Sequence, residues 1–244
     1  MANMQHSFIA ATVAAHRDVL AALRAMPHLA WAVVFILTLQ VVLDLIVKQF
    51  IPRNSLLGHD ITSVLHYALL TPFFIAVHRF VILGEVTHRY RLQWDDRRFQ
   101  LFFCSAFTLF ALSRLALLTT MLPKHWMFHL IAIGIVVAVC ALFTRVTILF
   151  PAIAVDAPGA SPARAFEDTK GHGWYIFFLF PIAFLPSLLL LAFVGGLIIL
   201  ALPLSGRLLL VPLAALTALV WLTLVVVLAS RLYQSLGNRL NQPI

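Results

Sequence analysis

Charge is what this sequence lacks most. Asp, Glu, Lys and Arg make up 11% of its 244 residues, and only nine of them are acidic; soluble domains hold roughly 25% charged residues. A chain that is 62% hydrophobic, with a mean hydropathy of +1.00, cannot cover a water-facing surface and is an integral membrane protein. Cysteine is nearly absent. Cys104 and Cys140 both fall inside apolar runs without CxxC spacing, so buried packing is expected rather than a disulfide or zinc site. Catalytic signatures are missing too: there is no HExxH, no GxxxxGK[ST], no G-x-S-x-G and no pair of acids within one apolar run. The expectation is a protein that is not an enzyme and carries no cofactor or metal. Short alternating strands are lacking as well, which excludes a membrane β-barrel.

What is present is a set of long apolar runs. A hydrocarbon core about 30 Å thick takes about 20 apolar residues in a helix. Six runs reach that length: Leu29 to Phe50, Ile61 to Leu83, Phe99 to Leu122, Met127 to Phe150, Trp174 to Leu202 and Arg207 to Ala229. The expected fold is all-α, a polytopic six-helix transmembrane bundle with an N-terminal amphipathic helix. Residues 1–28 form the amphipathic cytoplasmic segment, 29–229 the transmembrane domain with a cytoplasmic loop and short helix at 151–173, and 230–244 a cytoplasmic tail. Twelve of the seventeen Lys and Arg fall on the side of the termini and four on the other, with Arg114 inside a run. That positive-inside bias places both termini in the cytoplasm. It also makes anionic lipid headgroups, not nucleic acid, the partner for a net charge of +8. With 28 residues before the first run and no cleavable leader, the expected location is the bacterial inner membrane.

Between His6 and Met26, Phe8, Thr12, Ala15, Val19, Leu23 and Met26 recur at helical spacing, with His16, Arg17 and Arg24 towards the other side. One reading is a surface helix whose apolar stripe sinks into the acyl boundary while Arg17 and Arg24 meet phosphates. The other is an ordinary helix packed on the bundle. Arg97 and Arg98, after Asp95 and Asp96 as candidate caps, form a second pair placed for headgroups.

Polar residues inside the runs are few. Gln40, Asp44 and Lys48 share one helix face. A carboxylate at the bilayer centre costs about 2.5 to 3.5 kcal/mol, so Asp44 needs a partner. Lys48, one turn on, is one candidate. Arg114, equally deep in its own run, is the other, and both pairings stand open. His125 and His129 have the spacing of a metal-binding helical pair, but no carboxylate joins them, and with His66 they read as interfacial. Thr71-Pro72 predicts a kink in the second run. The fifth run, with Pro181, Pro186 and Gly195-Gly196, would measure roughly 43 Å at 1.5 Å per residue and must tilt, kink or break. A broken helix of that kind builds substrate sites in transporters.

The longest polar interruption of the second half, from Arg145 to Trp174, has an internal order. Pro151 cannot donate to the carbonyl of Thr147, so the helix carrying Arg145 is expected to bend or stop. Ala157 to Ala160 supply a turn. Ser161 before Pro162 starts a short helix, in which Arg164 and Asp168 lie four apart, and Gly171 suits its left-handed end. Arg145, the PAIAVD run from Pro151 to Asp156, Ala165 and Gly171 resemble the R, then LPAIAVD, then A, then T-x-G pattern of bacterial polytopic proteins: the YciC-like proteins and the membrane domain attached to some glycerophosphodiester phosphodiesterases. The likeness covers this loop and its flanking helices, with a looser one at the N-terminus. It implies a multi-pass membrane fold and no chemistry, because that domain is not the catalytic part of those phosphodiesterases. The resulting expectation is a non-enzymatic membrane protein supporting envelope organisation or a membrane complex, through a membrane-protein partner or a homo-oligomer, with lipid contacts. The alternative is a small-solute transporter or lipid-handling protein using the kinked fifth helix and an Asp44/Arg114 polar layer.

Overall fold

Proline and glycine set several of the helix boundaries. Pro27 opens α2 and Pro162 opens α7, each in the first turn, where a missing N–H costs nothing. Gly84 ends α3 at φ 72° and Gly171 follows α7 at φ 83°, a backbone region that other residues avoid. The computed structural model describes residues 8–50, 56–118, 126–201 and 210–242; within them the side chains of Asp44 and Lys48 lie outside the description. The described residues form helices α1 (Phe8–Ala25), α2 (Pro27–Phe50), α3 (Leu56–Leu83), α4 (Arg97–Leu118), α5 (Trp126–Val146), α6 (Leu149–Ala154), α7 (Pro162–Asp168), α8 (Gly173–Ala201) and α9 (Leu210–Leu236), with no strand among them.

The fold is all-α, and four helical stretches among the described residues are long and apolar enough to cross a membrane: Thr62–Leu83, Phe128–Ala154, Gly173–Ile198 and Pro212–Leu236. Phe8–Ala25 with Pro27–Leu43 makes a fifth if that pair, bent by 98°, counts as one span. The expected third span is helical as α4 but is not among the four; its described residues carry Arg97, Arg98 and Arg114.

The chain divides into two units. The first comprises Met1–Leu92 and Leu179–Leu228. There α1, α2 and α3 pack on one another. Thr12, Ala15, Val19 and Ala22 of α1, Leu29 and Val33 of α2, and Leu70, Phe73 and Val77 of α3 are all buried. The stripe that the sequence offered to the acyl boundary is therefore taken up largely by protein. Helix α3 runs without a break through Pro72, and Thr71 Oγ1 donates to Tyr67 O at 2.8 Å. Helix α8 likewise continues through Pro181, Pro186 and both glycines. It meets α9 where Trp221 Nε1 donates to Ser187 Oγ at 2.7 Å and the Trp221 ring lies edge-on to Phe184 at 5.6 Å.

The second unit comprises Gln93–Phe178 and Ala229–Ile244. Helix α4 packs on α5 and α6, and α5 packs on α7. Phe102 and Phe150, with ring centroids 5.1 Å apart, join α4 to α6. Helix α9 does not stop at Ala229, where the apolar run ends. It continues for two turns because Leu232, Tyr233 and Leu236 are buried at helical spacing.

Candidate functional site

The second unit holds a dense set of specific polar contacts among the described residues. It starts at the break that Pro151 predicts. Helix α5 ends at Val146, Thr147 and Ile148 form a turn, and α6 begins at Leu149. Pro151 therefore sits in the first turn of α6, where no carbonyl awaits its nitrogen. Helix α6 ends in a double hydrogen bond: the Ala157 N–H donates to Ala152 O at 2.9 Å and the Asp156 N–H to Ile153 O at 3.2 Å. This is a Schellman ending, which needs one residue in the left-handed region. Asp156 supplies it at φ 53°, and aspartate tolerates that region better than most side chains. Its carboxylate reaches Arg98 Nη1 at 3.4 Å. Arg98 is itself held by Asp96, whose Oδ1 accepts the Arg98 N–H at 2.9 Å and caps α4.

Arg145 stands in the last turn of α5. Its Nη1 donates to Thr169 O at 2.7 Å, placing a cation on a carbonyl just past the end of α7. The fully buried Thr169 returns the contact: its Oγ1 donates to Ala165 O at 2.7 Å and lies 3.4 Å from Arg145 O.

Helix α7 begins as its sequence dictates. Ser161 is extended at φ −147°, ψ 149°, its hydroxyl accepts from the Arg164 N–H at 3.5 Å, and Pro162 follows. Arg164 and Asp168, expected to pair across a helical turn, both reach the residues that follow α9. Arg164 Nη1 donates to Arg239 O at 3.1 Å and to Gln242 O. The Asp168 carboxylate accepts the Arg239 N–H at 3.0 Å and the Leu240 N–H at 3.1 Å. Glu167 pairs with Arg239 Nη1 on the exposed side. From before α7, the Gly159 N–H donates to Leu240 O at 3.0 Å. The tail is braced from its own side as well: Tyr233 OH donates to Asn241 Oδ1, and Asn241 Nδ2 donates to Gly237 O at 2.7 Å. Loop and tail form one clamp.

No protein-family model, curated protein or solved structure matches this chain. The site has to be read from its own chemistry. Of the residues singled out by sequence, Arg145, Pro151, Asp156, Ser161 and Gly171 fall in one stretch of the second unit, each at a helix boundary. Arg98, assigned to headgroups, is half-buried against Asp96 and Asp156, whereas Arg17, Arg24 and Arg97 are exposed. Arg114 lays its guanidinium over the Phe110 ring at 4.9 Å, ending a ladder of rings along α4 that runs through Phe99, Phe103 and Phe107. The Asp44 and Lys48 side chains and His125 lie outside the described residues, so neither proposed Asp44 pairing is drawn. Among the described residues no group of three or more His, Cys, Asp or Glu is placed to hold a metal. Sequence reasoning missed Gly159, Thr169 and the tail residues Arg239 to Gln242. Only Thr169 left a trace, as the threonine of the T-x-G pattern.

Proposed function

We propose that this chain is a multi-pass protein of the bacterial inner membrane, related to the YciC-like proteins, with six spans and both termini in the cytoplasm. It acts without catalysis, supporting envelope organisation or a membrane complex by presenting its loop and tail to a membrane-protein partner or a second copy. Lipid headgroups meet its exposed arginines Arg17, Arg24 and Arg97. The observation that carries this reading is the clamp of Arg164 and Asp168 on residues 239–242. Residues more than 70 positions apart are held as one preformed surface, and preformed surfaces bind partners without an ordering cost. The alternative, a small-solute transporter or lipid-handling protein, draws on a kinked fifth helix and an Asp44/Arg114 polar layer; α8 runs through Pro181 and Pro186 without a break.

The test is mass spectrometry of the protein extracted with its native lipid shell, as wild type and as Arg164→Ala/Asp168→Ala. A stoichiometric protein partner that is lost in the double variant supports the reading. A single enriched solute with no partner protein, retained in the variant, overturns it in favour of transport.

A further inference from the structure

One face of α1 is left over once its packing is accounted for. Thr12, Ala15, Val19 and Ala22 are buried, and α1 packs on α2 and α3. Away from that stripe, Ile9, Val13 and Leu20 are 71%, 64% and 54% exposed. At 3.6 residues per turn these three fall within about 40° of one another, and the exposed Arg17 and Arg24 follow within about 40° on one flank. Asp18, the single acid of α1, is turned roughly 150° from the centre of that face. The direction of the helix matters as much as its surface. The chain bends by 98° between α1 and α2, so an α2 that crosses the bilayer sets α1 along the membrane plane.

We propose that α1 is an in-plane helix seated in an anionic phospholipid leaflet, with Ile9, Val13 and Leu20 among the acyl chains and Arg17 and Arg24 on the phosphates. The inference rests on the reading that α2 spans the membrane. Aliphatic side chains beside arginines are what a headgroup boundary accepts: the apolar tips sink, and the long guanidinium stems reach back to phosphate. A second copy of the chain suits this face poorly. Two-fold packing of the face on itself would set arginines against arginines, with the single acid turned away.

The experiment uses the full chain with Cys104→Ser and Cys140→Ser, carrying one spin label at Ile9→Cys, Val13→Cys or Leu20→Cys. Trp31→Cys and Phe35→Cys, at exposed positions of α2, serve as controls for that helix. The proteins are reconstituted in vesicles of phosphatidylethanolamine with phosphatidylglycerol, or of phosphatidylcholine alone. Expected are oxygen-accessible, water-inaccessible labels at positions 9, 13 and 20, all at one shallow depth. Arg17→Gln/Arg24→Gln should lower the preference for phosphatidylglycerol about thirtyfold, at about fivefold per surface arginine. Water-exposed labels at 9, 13 and 20 with lipid-exposed labels at 31 and 35 overturn the inference and leave the membrane reading standing. Water exposure at all five overturns both. Lipid exposure without any effect of the double variant overturns the anionic assignment, and label–label coupling between copies overturns lipid as the occupant.

Discussion

Gly159 has no room for a side chain. A Cβ at this position would stand 2.2 Å from Arg164 Nη1, 2.7 Å from Arg239 O and 2.7 Å from Gln242 O, at the centre of the clamp. In Gly159→Ala the guanidinium can swing away, but the two carbonyls belong to backbone that Asp168 also holds. The expected outcome is loss of both Arg164 bonds to the tail, together with the Gly159 to Leu240 bond. A bond to a charged group contributes about 1.5 to 3 kcal/mol when buried, and about 1 kcal/mol at a site as wet as this one. With about 1 kcal/mol for the backbone bond, the tail loses about 3 kcal/mol of docking energy. Its opening equilibrium should then rise about a hundredfold at 1.4 kcal/mol per factor of ten. The assay is hydrogen exchange at the Arg239 and Leu240 amides, both bonded to Asp168. Gly134→Ala is the control, since nothing lies within 4 Å of a Cβ there. Wild-type protection of both amides in Gly159→Ala would refute the clamp as drawn.

Three further outcomes follow from the same geometry. Asp156→Ala should lower thermal stability by about 1 to 2 kcal/mol, since a left-handed alanine costs about 1 kcal/mol and the Arg98 pair adds up to about 1; Asp156→Gly should recover the backbone part, and equal melting of the two variants would contradict a Schellman ending. Tyr90 donates its hydroxyl to Leu69 O, and burial holds its phenol above the usual 10.0. Its unfolded form loses the proton first, so its stabilising contribution is complete below roughly pH 10 and falls as pH rises through the higher folded value. Tyr90→Phe should flatten that alkaline decline, which unfolding curves between roughly pH 9 and 11 will read. Trp221→Phe, which removes the donor to Ser187 and keeps most of the ring contact with Phe184, should cost about 0.6 kcal/mol in a reversible unfolding assay in bilayers, and a cost above about 2 would mean the bond matters more than such bonds usually do.

The helices were legible because their apolar runs are long, and the loop was legible because its punctuation is local. Pro151, Ser161-Pro162 and Gly171 each act on backbone within four residues, and each does what local chemistry dictates. The clamp was not legible, because its loop-to-tail bonds join residues 71 to 81 positions apart and composition holds no trace of such pairings. Helix α1 shows a different limit. The periodicity of Thr12, Ala15 and Val19 marks a face that avoids water, but period alone cannot tell acyl chains from the side chains of α2 and α3. The extension of α9 past Ala229 was hidden for a related reason: Ser230 and Arg231 end the hydropathy signal, while Leu232, Tyr233 and Leu236 keep the helix buried on one side. The fifth run gave the right length and allowed a tilt, a kink or a break, and of these only the break is removed. Two prolines and a glycine pair leave α8 unbroken.

The second unit draws on residues 93–178 and 229–244, and this imposes an order of assembly during synthesis. Arg164 and Asp168 leave the ribosome before either α8 or α9 exists, and the backbone they hold arrives only after both helices have been made. Until residue 242 has emerged, the loop lacks the bonds that Gly159, Arg164 and Asp168 make to the tail. Chains halted within α9 therefore lack every loop-to-tail bond of this unit, and chains that have passed it can close them all at once.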